Sequence, residues 1–108
     1  MNEKTFPKVG DKCYLRQFTG SYYVDMVKYP YTVIEVTPTK VKVQEAELIF
    51  NGPRYYDTVA DDIRPDVFGQ IKELTWHKKR GLWGTPGPES SYPEFAIIGE
   101  YDHQPYLD

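Results

Sequence analysis

Lys40-Val41-Lys42-Val43-Gln44 alternates charged or polar side chains with valines without a break, and that period of two constrains the fold more than any other feature of the chain. An extended strand with one buried face places Val41 and Val43 inward and Lys40, Lys42 and Gln44 outward. The preceding run, Tyr31-Thr32-Val33-Ile34-Glu35-Val36-Thr37, is rich in β-branched residues, and Pro38-Thr39 supplies the reversal between the two. Together they predict an antiparallel hairpin. Composition extends the same reading to the whole chain: ten Tyr, five Phe and two Trp, with eight Gly and nine Pro among 108 residues, favour short strands broken by turns over long helices. A chain of this length holds one core, so residues 1–108 are read as a single domain.

Further strands follow from the same signals. Val9-Gly10-Asp11 reads as a turn into a strand over 12–18, with Cys13 and Leu15 on one face and Tyr14, Arg16 and Phe18 on the other. Residues 22–28 are β-prone, and Tyr29-Pro30 punctuates before the hairpin, so a loop or edge strand is expected there. Ala46 to Phe50 extends the second hairpin strand, Asn51-Gly52 reverses it, and Arg54-Tyr55-Tyr56-Asp57 is expected to return. The acidic stretch 58–68 reads as a loop or one helical turn. Gln70 to Trp76 is another strand, His77-Lys78-Lys79-Arg80-Gly81 a tight connection, and Leu82-Trp83 its return, which places Trp76 and Trp83 to meet across the pair. Residues 84–91 lack apolar side chains of any size apart from prolines and read as an exposed loop. Phe95 to Tyr101 forms the last strand, and the apolar residues of Gln104-Pro105-Tyr106-Leu107-Asp108 suggest a tail docked on the body. Six to eight short strands at this spacing give an all-β, small antiparallel barrel or sandwich.

The longest apolar run, Phe95-Ala96-Ile97-Ile98, is far short of the roughly 18–20 residues a spanning helix needs. No membrane association is expected. The start of the chain is polar, without the apolar stretch of a secretory signal, and its single cysteine, Cys13, forms no internal disulfide, so the cytoplasm is the expected compartment. Cys13, His77 and His103 are the only soft ligands, which makes structural zinc, and cofactors generally, not expected. The net charge of −3 is small and of the wrong sign for gripping long duplex nucleic acid. Its distribution is uneven: segment 45–69 carries six acids and two bases, 70–83 four bases and one acid, and 84–108 five acids and no lysine or arginine.

Four groups of residues invite a functional reading. Asp57, Asp61, Asp62 and Asp66 supply oxygen ligands, but their spacing matches no cation-binding loop, and a solvated loop with capping aspartates fits better. His103, with Glu94, Glu100 and Asp102 nearby, has the parts of a histidine–carboxylate base, yet no nucleophile motif or phosphate-cradling glycine loop accompanies it, so no enzyme activity is expected. The basic turn His77, Lys78, Lys79 and Arg80 between Trp76 and Trp83 is the sharpest ligand-binding candidate, since cations beside aromatic rings contact phosphates and stack bases. The tyrosines are the last group. A domain of this size cannot bury all of them, and Tyr22, Tyr23, Tyr55 and Tyr56, near predicted turns, are expected to form a protein-binding surface.

Glu45-Ala46-Glu47, Tyr55-Tyr56-Asp57-Thr58, Leu74-Thr75-Trp76-His77-Lys78-Lys79-Arg80-Gly81-Leu82-Trp83, Tyr92-Pro93, Gly99-Glu100-Tyr101 and Gln104-Pro105-Tyr106-Leu107 together resemble small uncharacterised proteins of bacteriophages and conjugative elements of Gram-positive gut bacteria. The first third, with Val9-Gly10-Asp11 ahead of a strand and then Val33-Ile34-Glu35-Val36, is similar to the opening of SH3-like barrels. With the strand pattern this gives a small SH3-like or related barrel, extended by the 69–83 hairpin and a C-terminal strand, and the first resemblance implies an accessory role on a mobile element. It brings no reaction and no catalytic residues. The resulting expectation is a non-catalytic module that binds a protein partner through exposed aromatics, in an oligomeric state the sequence leaves open. The alternative is nucleic-acid or nucleotide recognition through the hairpin 76–83.

Overall fold

The computed structural model describes residues 3–105. Six strands close into an antiparallel barrel: β1 (Lys12–Arg16), β2 (Tyr29–Val36), β3 (Val41–Glu45), β6 (Ile71–His77), β7 (Leu82–Gly84) and β8 (Phe95–Ile98). Each stave pairs with the next in chain order, and β8 returns to β1 through the register Cys13↔Ile98 to Arg16↔Phe95. A separate two-stranded ribbon, β4 (Glu47–Ile49) with β5 (Asp62–Arg64), is inserted between β3 and β6. One helical turn, α1 (Tyr22–Asp25), and a 3₁₀ turn, Glu89–Ser91, complete the elements. No helix among the described residues is long and apolar enough to cross a membrane.

Alternation builds the core. Cys13 and Leu15 of β1, Tyr31 and Val33 of β2, Val41 and Val43 of β3, Leu74 of β6, Trp83 of β7 and Ala96 of β8 form one buried cluster, with Tyr29, Val36 and Trp76 packed against it. Each fully buried Val or Leu contributes about 1.5–3 kcal/mol relative to exposure. The β2–β3 hairpin forms as its sequence predicts, pairing Val33↔Val43 and Val36↔Val41 across a bulge between Val33 and Glu35. Trp76 and Trp83 pair directly across β6 and β7, their rings 5.5 Å apart and T-shaped. The 71–84 hairpin and the last strand are themselves staves of the barrel.

Four local expectations are corrected. Residues 22–28 are not a strand: the Asp25 carboxylate accepts the backbone N–H groups of Thr19 and Gly20 at 2.6 and 2.8 Å, which closes the chain into a turn and α1. Tyr29 and Pro30 lie inside β2, paired with Leu15 and Tyr14 of β1. A residue's N–H and C=O in an antiparallel strand face the same neighbour. Pro30's carbonyl accepts from Ala46 N–H, so its missing donor falls where β3 ends. Arg54-Tyr55-Tyr56-Asp57 is loop, and the strand that returns to β4 is β5 instead, within the stretch read as loop or helical turn. Gly84, expected in the following loop, is buried in β7. Of the expected docked tail, Gln104 bridges to Lys28; Tyr106, Leu107 and Asp108 lie outside the described residues.

The outer face of the seam between β7 and β8 has its own packing. Only Gly84↔Phe95 pairs there, and a Cβ on Gly84 would stand 2.7 Å from the buried Phe95 ring and 3.0 Å from the Glu94 carbonyl. Gly84→Ala is therefore expected to destabilise the domain by roughly 1–3 kcal/mol, seen as a lower urea midpoint at unchanged slope. An unchanged midpoint would show that Phe95 does not rest on this backbone.

Candidate functional site

In an up-and-down barrel alternate connections fall at the same end. Here two long ones, 17–28 and 46–70, share one end, while the short turns 37–40 and 78–81 lie at the other and the third long one, 85–94, folds back beside the 78–81 turn, where Glu89 pairs with Arg80. The sequence-predicted tyrosines stand on the first two long connections. Tyr22 and Tyr23 on α1 are 65% and 58% exposed and meet edge to face at 5.6 Å; Tyr55 and Tyr56 are 67% and 68% exposed. Both segments are held by hydrogen bonds. Desolvation opposes ionisation of Asp25, but its bonds from Thr19 and Gly20 and the charge of Arg16 outweigh this and hold the carboxyl below its usual range. Tyr55 N–H donates to Thr58 Oγ1 at 2.8 Å, and Thr58 N–H returns to the Tyr55 carbonyl.

The basic hairpin differs from its sequence reading in what its aromatics do. Trp83 is 2% exposed, its indole N–H donates to the Thr5 carbonyl at 2.7 Å, and Phe6 packs on it. Trp76 is half-buried against the same core, so neither ring forms an open shelf for stacking bases. His77 ends β6, its Nε2 2.9 Å from the Thr85 carbonyl and its ring against Phe95. Arg80 folds back over Phe18 and Phe95 and pairs with Glu89 at 3.2 Å. Arg16 covers Phe18 as well, 4.2 Å from its centroid. Lys78 and Lys79 stand exposed at the turn, and with His77, Gly87, Pro88 and Glu89 they line an open depression of about 350 Å³.

The most exposed apolar group among the described residues was not among the sequence candidates. Phe68 is 93% exposed and Val67 beside it 78%, with Ile71 half-exposed at the start of β6. Their turn is pinned at several points: Asp66 Oδ1 accepts Phe68 N–H, Gly69 N–H donates to the Asp66 carbonyl, and Gln44 Nε2 donates to the carbonyls of Val67 and Gly69. A Cβ on Gly69 would collide with the Glu45 carbonyl, so the turn sits flush on the end of β3. The signal was present in the sequence: Val67-Phe68 interrupts a Pro, Asp and Gly stretch that cannot bury them.

Most of the ionisable candidates have structural partners. Asp61 Oδ2 accepts Asn51 N–H, Asp62 Oδ1 accepts Ile63 N–H, and Asp66 serves the turn just described; no group of three or more metal-binding side chains converges among the described residues. His103 is buried between Tyr29 and Phe50, where Nδ1 accepts Ala60 N–H at 2.8 Å. Burial and the nearby Arg54 lower its affinity for a proton against the opposing pull of Asp102. Burial pushes the Cys13 thiol up to about 12, with Asp11 adding to the shift, and its Sγ lies 3.3 Å from the Tyr31 carbonyl. It is a core residue.

Two measurements follow. Neutral His103 ties the 50–61 loop to the C-terminal segment, and its folded-state proton affinity is depressed below the ordinary value near pH 6.5. Its stabilising effect is therefore full above that pH and lost as pH falls through the lower folded-state value. Thermal melts from pH 8 to 5 should show the loss, and His103→Asn should reduce that pH dependence; an identical dependence in both proteins would contradict it. Cys13 should resist thiol reagents in the folded protein and react readily in urea.

Comparison of the chain with family models, curated proteins and solved structures gives no match.

Proposed function

We propose that the protein is a non-catalytic accessory module that binds a protein partner through the tyrosines at the long-loop end of its barrel. One observation carries the reading: Tyr22, Tyr23, Tyr55 and Tyr56 all stand more than half exposed on segments whose backbones are already hydrogen-bonded. Tyrosine offers a large, stiff contact with a polar tip, and a held backbone loses little further entropy on binding. The resemblance to proteins of phages and conjugative elements suits an accessory role on such an element. A single buried thiol suits the cytoplasm.

The test is a quadruple variant, Tyr22→Ser, Tyr23→Ser, Tyr55→Ser and Tyr56→Ser. It should keep the wild-type melting temperature, because these rings lie outside the buried core. Affinity capture with crosslinking from host cells should recover a partner with the wild type and lose it at least about tenfold with the variant. Equal recovery by both proteins would overturn the reading.

The competing reading, nucleic-acid or nucleotide recognition by the 76–83 hairpin, is favoured by the lysines around the depression and weakened by the burial of Trp83. It requires a single-stranded oligonucleotide to bind with a steep salt dependence, and joint replacement of Lys78, Lys79 and Arg80 by Gln to flatten it. Unchanged affinity would remove it.

A further inference from the structure

We infer that the Phe68 knob of one molecule seats in the His77, Lys78, Lys79 and Pro88 depression of a second copy, joining the chains head to tail. The knob is preorganised. Phe68 and Val67 project from a turn whose backbone is fixed by hydrogen bonds to Asp66 and Gln44, so binding orders little beyond the two side chains themselves. A rigid, bare aromatic flanked by polar residues is the kind of anchor that dominates interface energies.

The depression fits such an anchor in size and sign. Its opening of about 350 Å³ admits an aromatic side chain, and Gly87, Pro88 and the lysine stems offer it apolar contact. Lys78 and Lys79 stand at its rim, while Glu89, which also lines it, is paired with Arg80. Around the knob the charge is reversed: Asp66 immediately precedes it, within a segment, 45–69, of six acids and two bases. Docking brings Asp66 toward the two lysines, which selects the partner and its orientation.

The knob cannot fill its own molecule's depression. It precedes the first residue of β6, Ile71, and the depression begins at the last, His77, about 20 Å away along an extended strand. Two different patches therefore meet, and such an interface propagates into a ring or an open chain of molecules. This inference does not depend on the tyrosine surface, whose residues it leaves unused.

Sedimentation of the full-length protein from micromolar to millimolar concentration tests it. The wild type should show an average mass that rises with concentration and falls with added salt. Phe68→Ser and the double variant Lys78→Glu with Lys79→Glu should each stay monomeric with unchanged circular dichroism. Mixed in equal amounts they should form a dimer and nothing larger, because only one intact knob and one intact depression remain to pair. A wild type that stays monomeric at millimolar concentration overturns the proposal, as does a mixture that fails to dimerise. Association that persists in both variants alone overturns it too, and assigns the contact to another surface. Should poly-dT bind the monomeric wild type and not the Lys78 and Lys79 variant, the depression is a phosphate site instead.

Discussion

The narrow interior of the barrel is the constraint on which the rest of the structure depends. Six staves enclose too little space for many large side chains, and valines, Leu15, Leu74, Cys13 and Ala96 occupy the middle of it. The two largest side chains of the buried cluster, Tyr31 and Trp83, lie toward opposite ends, and each carries a polar tip to a partner there. The Trp83 N–H reaches Thr5 in the N-terminal segment, and the Tyr31 hydroxyl reaches Lys72, itself 2.6 Å from Glu94. Burial raises the Tyr31 proton affinity despite the opposing charge of Lys72, so the phenol stays neutral. Large rings with one polar atom suit this position, apolar body inward and tip at the rim.

A second layer of packing outside the barrel explains why the basic hairpin is not merely solvated. Phe95 points away from the core cluster, lies on Gly84, and is enclosed by Phe18, His77 and Arg80. The weakest seam of the barrel, where β7 and β8 share one paired register, is covered by this cluster. Arg80 belongs to that covering through its guanidinium over two rings and its pairing with Glu89. Lys78 and Lys79 carry the outward-facing charge of the turn.

What the sequence made legible follows from what period-two patterns can express. The inward face of β1, the β2–β3 hairpin and the Trp76–Trp83 pair all rest on alternation within one stretch of chain, and all formed as expected. Residues 22–28 have β-prone side chains, yet the bonds from Asp25 to Thr19 and Gly20 decide their conformation, and a single carboxylate leaves no periodic trace. β5 is three residues long with two of them charged, too short to show alternation, and is fixed by its pairing with β4. The tyrosines were legible as exposed because there were too many to bury. Trp83 misled as a stacking surface because its ring is placed by the N-terminal segment, which carries no strand pattern.

The distribution of charge along β6 gives the barrel a direction that its net charge of −3 conceals. The turn before the strand holds Asp66 beside the bare Val67 and Phe68, and the turn after it holds Lys78 and Lys79 beside the open depression. Within the strand the charges are neutralised locally, Lys72 against Glu94 and Glu73 against Lys40, each partner of the second pair favouring the other's ionised form. The turns at the two ends of the stave therefore carry charge of opposite sign and are separated by its full length. Two like ends of such molecules repel and two unlike ends attract, so any self-contact made through this stave is oriented before it is formed. The tyrosines of the other long loops remain outside that axis, and a partner bound there meets a surface that assembly along β6 does not use.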